Sequence, residues 1–130
     1  MSLRLLVDTQ LLLWAALFPG RLPRKAARLM NDPATALYFS AASIWEISIK
    51  LTLPRKGLEI DVRRWRAGLL DNGYLELPVT SVHAMAVTDL PLLHRDPFDR
   101  MLLAQAMRED LTLLTVDEKL AAYPGPVMKV

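Results

Sequence analysis

Residues 3–14 read LRLLVDTQLLLW, an apolar run broken by one acid, Asp8, before hydrophobic residues resume. Leu3 to Val7 has the length and continuity of a strand buried on both faces, and Thr9 to Leu17 predicts a helix closed by Pro19-Gly20. The handover from strand to helix through a carboxylate sets the pattern for the chain. It recurs where Leu111 to Val116 meets a short helix to Ala122, with Asp117 as its cap. A variant recurs where Ala36 to Ser40 (ALYFS) runs into SAASIWEISIK, with Glu46 one turn inside a helix that reaches about Leu53 and stops at Pro54.

Between these units the punctuation is regular. Pro23 to Met30 predicts a helix with Pro in its first turn and Asn31-Asp32-Pro33 ending it. Asp61 caps a helix through Leu70, which Asn72-Gly73 breaks. Tyr74 to Val79 predicts a strand, Ser81 to about Asp89 a helix ended by Pro91, Pro97 to Glu109 a long helix, and Val127 to Val130 an edge strand. Parallel neighbours need crossovers, so this order predicts an α/β fold: a central parallel sheet of four to five strands with helices on both faces. With 130 residues and no repeat or linker, one domain over residues 1–130 is expected.

Composition narrows the chemistry. There is no cysteine, hence no disulfide, thiolate zinc site or thiol nucleophile, and His83 and His94 are too few for a histidine-rich metal centre. A metal here is expected to be held mostly by oxygen, which points to Mg²⁺ or Mn²⁺. Mean hydropathy is +0.21, high for a domain of this size, so part of the apolar surface is expected to meet a partner or a second copy. The longest apolar run, Leu11 to Phe18, is short of a membrane span and the N-terminus has no secretory pattern; a cytoplasmic protein with no membrane partner is expected. Net charge is only +2, but Arg21, Arg24, Lys25 and Arg28 form one basic group and Lys50, Arg55, Lys56, Arg63, Arg64 and Arg66 another. Such groups are often plain solvated helix faces; they also suit a polyanion.

Asp8, Glu46, Asp99 and Asp117 all fall at strand-to-helix edges or on the helix that follows. In an open parallel sheet those edges gather at the carboxyl ends of the strands, where ligands bind. Each acid also has a structural reading. Asp8 and Asp117 fit helix caps. Glu46 fits a Ser43–Glu46 capping box and a Glu46–Lys50 surface pair, although Ser43, Glu46 and Lys50 also form a narrow polar stripe on a helix otherwise built of Ala, Ile and Trp. In His94-Arg95-Asp96-Pro97-Phe98-Asp99, Asp96 before Pro97 is the better cap, which leaves Asp99 freer to face a crevice.

LLVDTQLLLW, SAASIWEISIK, HRDPFDRMLLAQA and LLTVDEKLAAY span nearly the whole chain. In that order they resemble the PIN domain, and within it the VapC-type toxins of toxin–antitoxin pairs. The resemblance implies a metal-dependent endoribonuclease, a Mg²⁺ or Mn²⁺ cofactor, an RNA substrate, a cognate antitoxin and a homodimer. It implies a catalytic quartet on Asp8, Glu46, Asp99 and Asp117, with Asp8 and Asp99 holding metal and Thr115 as the hydroxyl two residues before the last acid. Asp96 and Lys50 are secondary site residues on this reading, and Arg63, Arg64 and Arg66 are candidate RNA contacts. The apolar Trp14, Leu17 and Phe18 would then serve a dimer or an antitoxin groove, or simply the core. Gln10 departs from relatives that often carry His there.

Three rivals share the topology. A phosphoaccepting receiver domain needs adjacent acids after strand one and an acceptor Asp after a central strand; Asp8 stands alone and Pro78-Val79-Thr80 offers no acceptor. A phosphatase with an Asp nucleophile needs a second acid where this chain has Gln10. A non-catalytic RNA-binding domain has no use for four acids in this arrangement.

Overall fold

Leu5, Leu6 and Val7 are all fully buried, so β1 (Arg4–Val7) is covered on both faces and lies in the middle of the molecule. The structure is a computed structural model that describes residues 3–53 and 57–130. The predicted helix stop at Pro54, and Arg55 and Lys56 of the second basic group, lie outside the described residues. Five strands form one sheet in the order β3-β2-β1-β4-β5, and all four pairings are parallel. The other strands are β2 (Ala36–Ser40), β3 (Leu75–Leu77), β4 (Thr112–Thr115) and β5 (Val127–Lys129).

Alternation along the strands divides the core in two. Leu5 and Val7 of β1 and Leu114 of β4 point to one face. There they meet Leu11 and Leu12 of α1 (Thr9–Leu17), Ala26 of α2 (Arg24–Met30), Ile47 of α3 (Ala41–Thr52) and Trp65 and Leu69 of α4 (Val62–Asp71). Leu6 and Leu113 point to the other face, against Leu102, Leu103 and Ala106 of α6 (Pro97–Glu109) and Leu120 of α7 (Glu118–Ala121). The short α5 (Ser81–Ala86) lies along α6. The predicted three-layer α/β architecture is the one observed.

Several local readings are adjusted by tertiary context. The third strand is limited to Leu75–Leu77 because it is an edge and pairs only with β2. The helix predicted over 81–89 is α-helical only to Ala86, then tightens to a 3₁₀ turn at Val87–Asp89. The Ser43–Glu46 capping box does not form, because α3 starts three residues earlier with Ser40 as its cap, accepting from the Ala42 amide at 2.9 Å. Ser43 is thereby moved inside the helix, where its hydroxyl accepts from Thr9 at 2.8 Å and ties α1 to α3. At the end of α4, Gly73 takes φ +86°, the left-handed conformation expected of Asn72-Gly73.

A buried amide fastens the edge of the sheet to α6. Gln105, fully buried, accepts from the Ser40 hydroxyl through Oε1 and donates through Nε2 to the Pro78 carbonyl at 3.2 Å. It thus joins the ends of β2 and β3, the same edge that launches α3. Gln105→Leu keeps the volume but leaves the Ser40 hydroxyl and the Pro78 carbonyl without that partner, so it should cost about 1–3 kcal/mol. Urea denaturation measures this as a lower midpoint with an unchanged slope.

Candidate active site

The strand order turns around β1: β2 and β3 lie on one side of it, β4 and β5 on the other. That reversal opens a crevice beyond the carboxyl ends of β1 and β4. Asp8 follows β1 directly and Asp117 stands two residues past β4. The register that pairs Val7 with Leu114 brings these two ends side by side. Thr115 stitches them together, its hydroxyl donating to Asp8 Oδ2 and accepting from the Asp117 amide at 3.0 Å.

The capping readings of Asp8, Asp96 and Asp117 hold, and they coexist with exposure to one cleft. Asp8 Oδ1 accepts from the Leu11 amide at 2.8 Å as the cap of α1. Asp117 Oδ1 accepts from the Lys119 amide at 2.7 Å as the cap of α7. Asp96 caps α6, accepting from the amides of Phe98 and Asp99 at 2.8 and 3.1 Å. Each cap uses one oxygen and so anchors its carboxylate while the second oxygen is directed elsewhere. Glu46 instead reaches in from the second turn of α3: Oε2 accepts from Lys50 Nζ at 2.9 Å, and Oε1 is buried with no partner.

These groups line a single cleft of about 350 Å³, which holds Asp8, Glu46, Asp96, Asp99 and Asp117 together with Lys50 as its one lysine. Thr9, Gln10 and Val116 complete much of the wall, while Thr115 is fully buried behind it. Arg63, Arg64 and Arg66 do not line the cleft. They lie on α4, where Arg66 makes a two-pronged bond to Glu76 at 2.8 and 2.9 Å and Arg64 approaches Asp61 at 3.9 Å.

One residue of this site was set aside on sequence grounds. His94 Nε2 lies 3.0 Å from both Asp99 Oδ2 and Asp117 Oδ2. Its Nδ1 accepts from the Asp96 amide at 3.2 Å, so the proton of the neutral ring belongs on Nε2, facing the two acids. Asp99, Asp117 and His94 offer ligand atoms within 4.8 Å of one another. Asp8, expected to share metal with Asp99, lines the same cleft but lies outside that close group. A two-histidine count argued against a histidine-rich centre, but carried no information on whether one imidazole joins an oxygen-rich one.

Crowding shifts the acids in opposite directions. Burial holds Asp99 up to about 7, reinforced by the charges of Asp96, Glu46 and Asp117 and opposed by His94. Burial likewise raises Asp8, against the stabilising hydroxyl of Thr115 and amide of Leu11. Burial also pushes Asp117 upward, but it is outweighed there by the hydrogen bond from His94 and the amides at the start of α7, leaving a net lowering.

Two observations fit a hard divalent cation. The donor set is almost wholly carboxylate oxygen, as Mg²⁺ and Mn²⁺ require, and Glu46 Oε1 is a buried acceptor with nothing donating to it. Among the described residues, that is the sole carboxylate oxygen buried without a partner.

The family model for the PIN domain matches residues 5–126. No curated protein matches the chain by sequence. Among solved structures, VapBC2 from Rickettsia felis, bound to a DNA fragment from their promoter, superposes with a TM-score of 0.69 at 12% identity over 98% of both chains. A toxin–antitoxin complex from Klebsiella pneumoniae gives 0.66 at 22% identity, covering 98% of this chain and 97% of that one. FitAB bound to an IR36 DNA fragment gives 0.64 at 18% identity, covering 96% and 94%. At these identities the superpositions speak for a shared fold.

The raised Asp99 has a consequence for stability. Its folded value of about 7 exceeds the ordinary 3.8, so between those values the native state holds a proton that the unfolded chain has lost. This contribution is intact below pH 4 and is lost as pH rises toward 7. Asp99→Asn, which mimics the protonated form at every pH, should remove this dependence: at pH 8 the variant melts upward of about 5 °C above wild type, and the gap closes on acidification to pH 4. Thermal melts across that pH range, without divalent metal, make the comparison. A gap independent of pH would mean Asp99 is ionised throughout.

Proposed function

We propose, from the premise that this chain belongs to the PIN-domain family, that it is a metal-dependent endoribonuclease and the toxin of a toxin–antitoxin pair. The observation that carries the reading is the meeting of five carboxylates at the β1/β4 crevice, one of them with a buried, unpartnered oxygen. A non-catalytic domain gains nothing from such self-repulsion.

Asp99 and Asp117, with Asp8 behind them, would hold Mg²⁺ or Mn²⁺. When bound, the ion supplies Lewis-acid stabilisation to a phosphoryl oxygen and makes nearby water more acidic. Glu46 is the general base: its carboxylate, oriented by the Lys50 bond to Oε2, accepts the proton of the attacking water. The water oxygen bonds to phosphorus, the phosphorus–oxygen bond to the leaving ribose oxygen breaks, and that oxygen takes its proton from solvent at the cleft mouth. Asp96 acts by position, holding the first turn of α6 so that Asp99 faces inward. Lys50, about half exposed, also lies where a flanking phosphate would pass.

Single-stranded or loop RNA is the substrate, since splayed nucleotides let one phosphate enter a narrow acidic cleft. The arginines of α4, outside the cleft, would hold the flanking backbone. Two apolar surfaces then receive protein partners. A groove through Leu13, Trp14, Leu17 and Phe18 shares Gln10 and Lys50 with the acidic cleft, and there the antitoxin would cover both. Trp45, 62% exposed and edge-on to Phe98, adjoins a second apolar groove with Val79 and Met101, which a second copy of the chain would cover. Among the described residues no helix is long and apolar enough to cross a membrane.

Asp8→Asn is the cleanest catalytic test because Asn caps helices as well as Asp does. Incubated with total RNA in Mg²⁺, the wild type should release discrete fragments. Asp8→Asn, and wild type in EDTA, should release none, with the variant's circular dichroism unchanged. RNA bound but left whole under every condition would instead indicate a binding module.

A second measurement addresses the arginines. Joint replacement of Arg63 and Arg64 by alanine should weaken RNA binding by about 3–10-fold and flatten its salt dependence by one to two contacts. Arg66, already occupied by Glu76, should matter less. Equal affinity for the Arg63/Arg64 double variant and the wild type at low salt would remove α4 from the RNA path.

A further inference from the structure

Segment 87–96 delivers His94 to the acidic cleft, yet beyond the 3₁₀ turn at Val87–Asp89 it contains neither strand nor helix. Its carbonyls therefore lack ladder partners and must find others. A single side chain takes four of them. Arg100 Nη1 donates to the carbonyls of Pro91 and His94 at 3.2 and 3.4 Å, and Nη2 to those of Val87 and Leu90 at 3.1 and 3.5 Å.

Nη1 also reaches the Tyr123 hydroxyl at 3.3 Å, and that hydroxyl accepts from the amides of Leu93 and His94 at 3.2 and 2.9 Å. Tyr123 is buried with the α6–α7 core, so its hydroxyl is a fixed post. Among the described residues, no carboxylate lies within ion-pair distance of the guanidinium. Its Nη donors all go to one segment of backbone and one hydroxyl. Only the planar fork of arginine spans such a spread of acceptors; a lysine ammonium does not.

We propose that Arg100 and Tyr123 are positioning residues: they clamp segment 87–94 so that His94 presents its Nε2–H between Asp99 and Asp117, orienting both carboxylates for a cation. Arg100 is adjacent to Asp99 on α6, so one helical turn carries both an acid of the centre and the clamp that places its hydrogen-bond partner. Supporting hydrogen bonds to metal-binding carboxylates commonly govern affinity by 10–100-fold when removed. The metal half of this inference rests on the nuclease reading above; the clamp half does not.

The test uses Tyr123→Phe, Arg100→Lys, His94→Leu, His94→Gln and the Tyr123→Phe/His94→Leu pair in the full chain. Mn²⁺ affinity is read by calorimetry, the His94 tautomer by long-range ¹H–¹⁵N imidazole spectra, and folding by thermal melts. Tyr123→Phe and His94→Leu should each weaken Mn²⁺ binding about 10-fold, while His94→Gln, which keeps an N–H near the same place, should recover most of it. Because Tyr123 acts through His94, the double variant should bind no more weakly than His94→Leu alone.

Additive losses, unchanged affinity in Tyr123→Phe, or tighter Mn²⁺ binding by His94→Leu would each overturn the proposal. If the wild type bound no Mn²⁺, the nuclease reading would fail, and the imidazole spectra would then decide the clamp. The Nε2–H form should dominate in wild type and lose its dominance in Tyr123→Phe, and in Arg100→Lys if that variant folds. Identical spectra in wild type and Tyr123→Phe would overturn the clamp outright.

Discussion

Two ionised carboxylates about 4 Å apart repel by about 4 kcal/mol at an effective dielectric of roughly 20, and this cleft gathers five acids around one lysine. Much of the surrounding structure limits that repulsion. Helix N-termini take one oxygen each from Asp8, Asp96 and Asp117, placing negative charge where the backbone amides favour it. Thr115 donates to Asp8, Lys50 to Glu46, and His94 stands between Asp99 and Asp117. Asp99, held up first by its burial and then by the charges of Asp96, Glu46 and Asp117, retains its proton to about 7. The centre is thus assembled with an electrostatic deficit that a divalent cation is suited to relieve.

The arrangement depends on a rigid frame. Capping fixes Asp8, Asp96 and Asp117 to the starts of α1, α6 and α7, and these helices pack on a sheet whose central strand buries Leu5, Leu6 and Val7 completely. The buried amide of Gln105 and the fork of Arg100 have parallel roles, each fastening a stretch of chain to α6. Gln105 joins the β2 and β3 ends from which α3 and Glu46 proceed, and Arg100 supports the irregular segment from which His94 projects. Both leave α6, the helix that also carries Asp99. Its inner face therefore couples core packing to site geometry, a coupling consistent with specificity set by rigid elements rather than loops.

The apolar surplus noticed in the composition turns out to be unevenly distributed. α3 is built largely of Ala, Ile and Trp, yet Trp45 is exposed and Ile49, one turn on, is partly so. Glu46 lies between them in sequence but turns the other way, into the cleft. A helix with a polar stripe facing an acidic crevice and an apolar ridge facing out carries two surfaces of different chemistry, which a count of hydrophobic residues cannot separate.

Strand and helix order, the parallel sheet and the roles of Asp8, Asp96 and Asp117 as caps were all legible in the chain, because they rest on local periodicity and on the chemistry of the first helical turn. The convergence of Asp8, Glu46, Asp99 and Asp117 was also readable, since a parallel sheet puts every strand-to-helix edge on one side. His94 was not, nor was the part played by Arg100 and Tyr123. Those depend on an irregular segment whose path is set by hydrogen bonds between residues as many as thirty apart, such as the Tyr123 hydroxyl with the Leu93 amide. Ser43 was misread as a capping partner for the same reason: its true partner, Thr9, is thirty-four residues away. The amino-acid order determined which elements form and which edge of the sheet is acidic; only the tertiary fold decided which side chains come to stand between those acids, because contacts of that range leave no periodic trace.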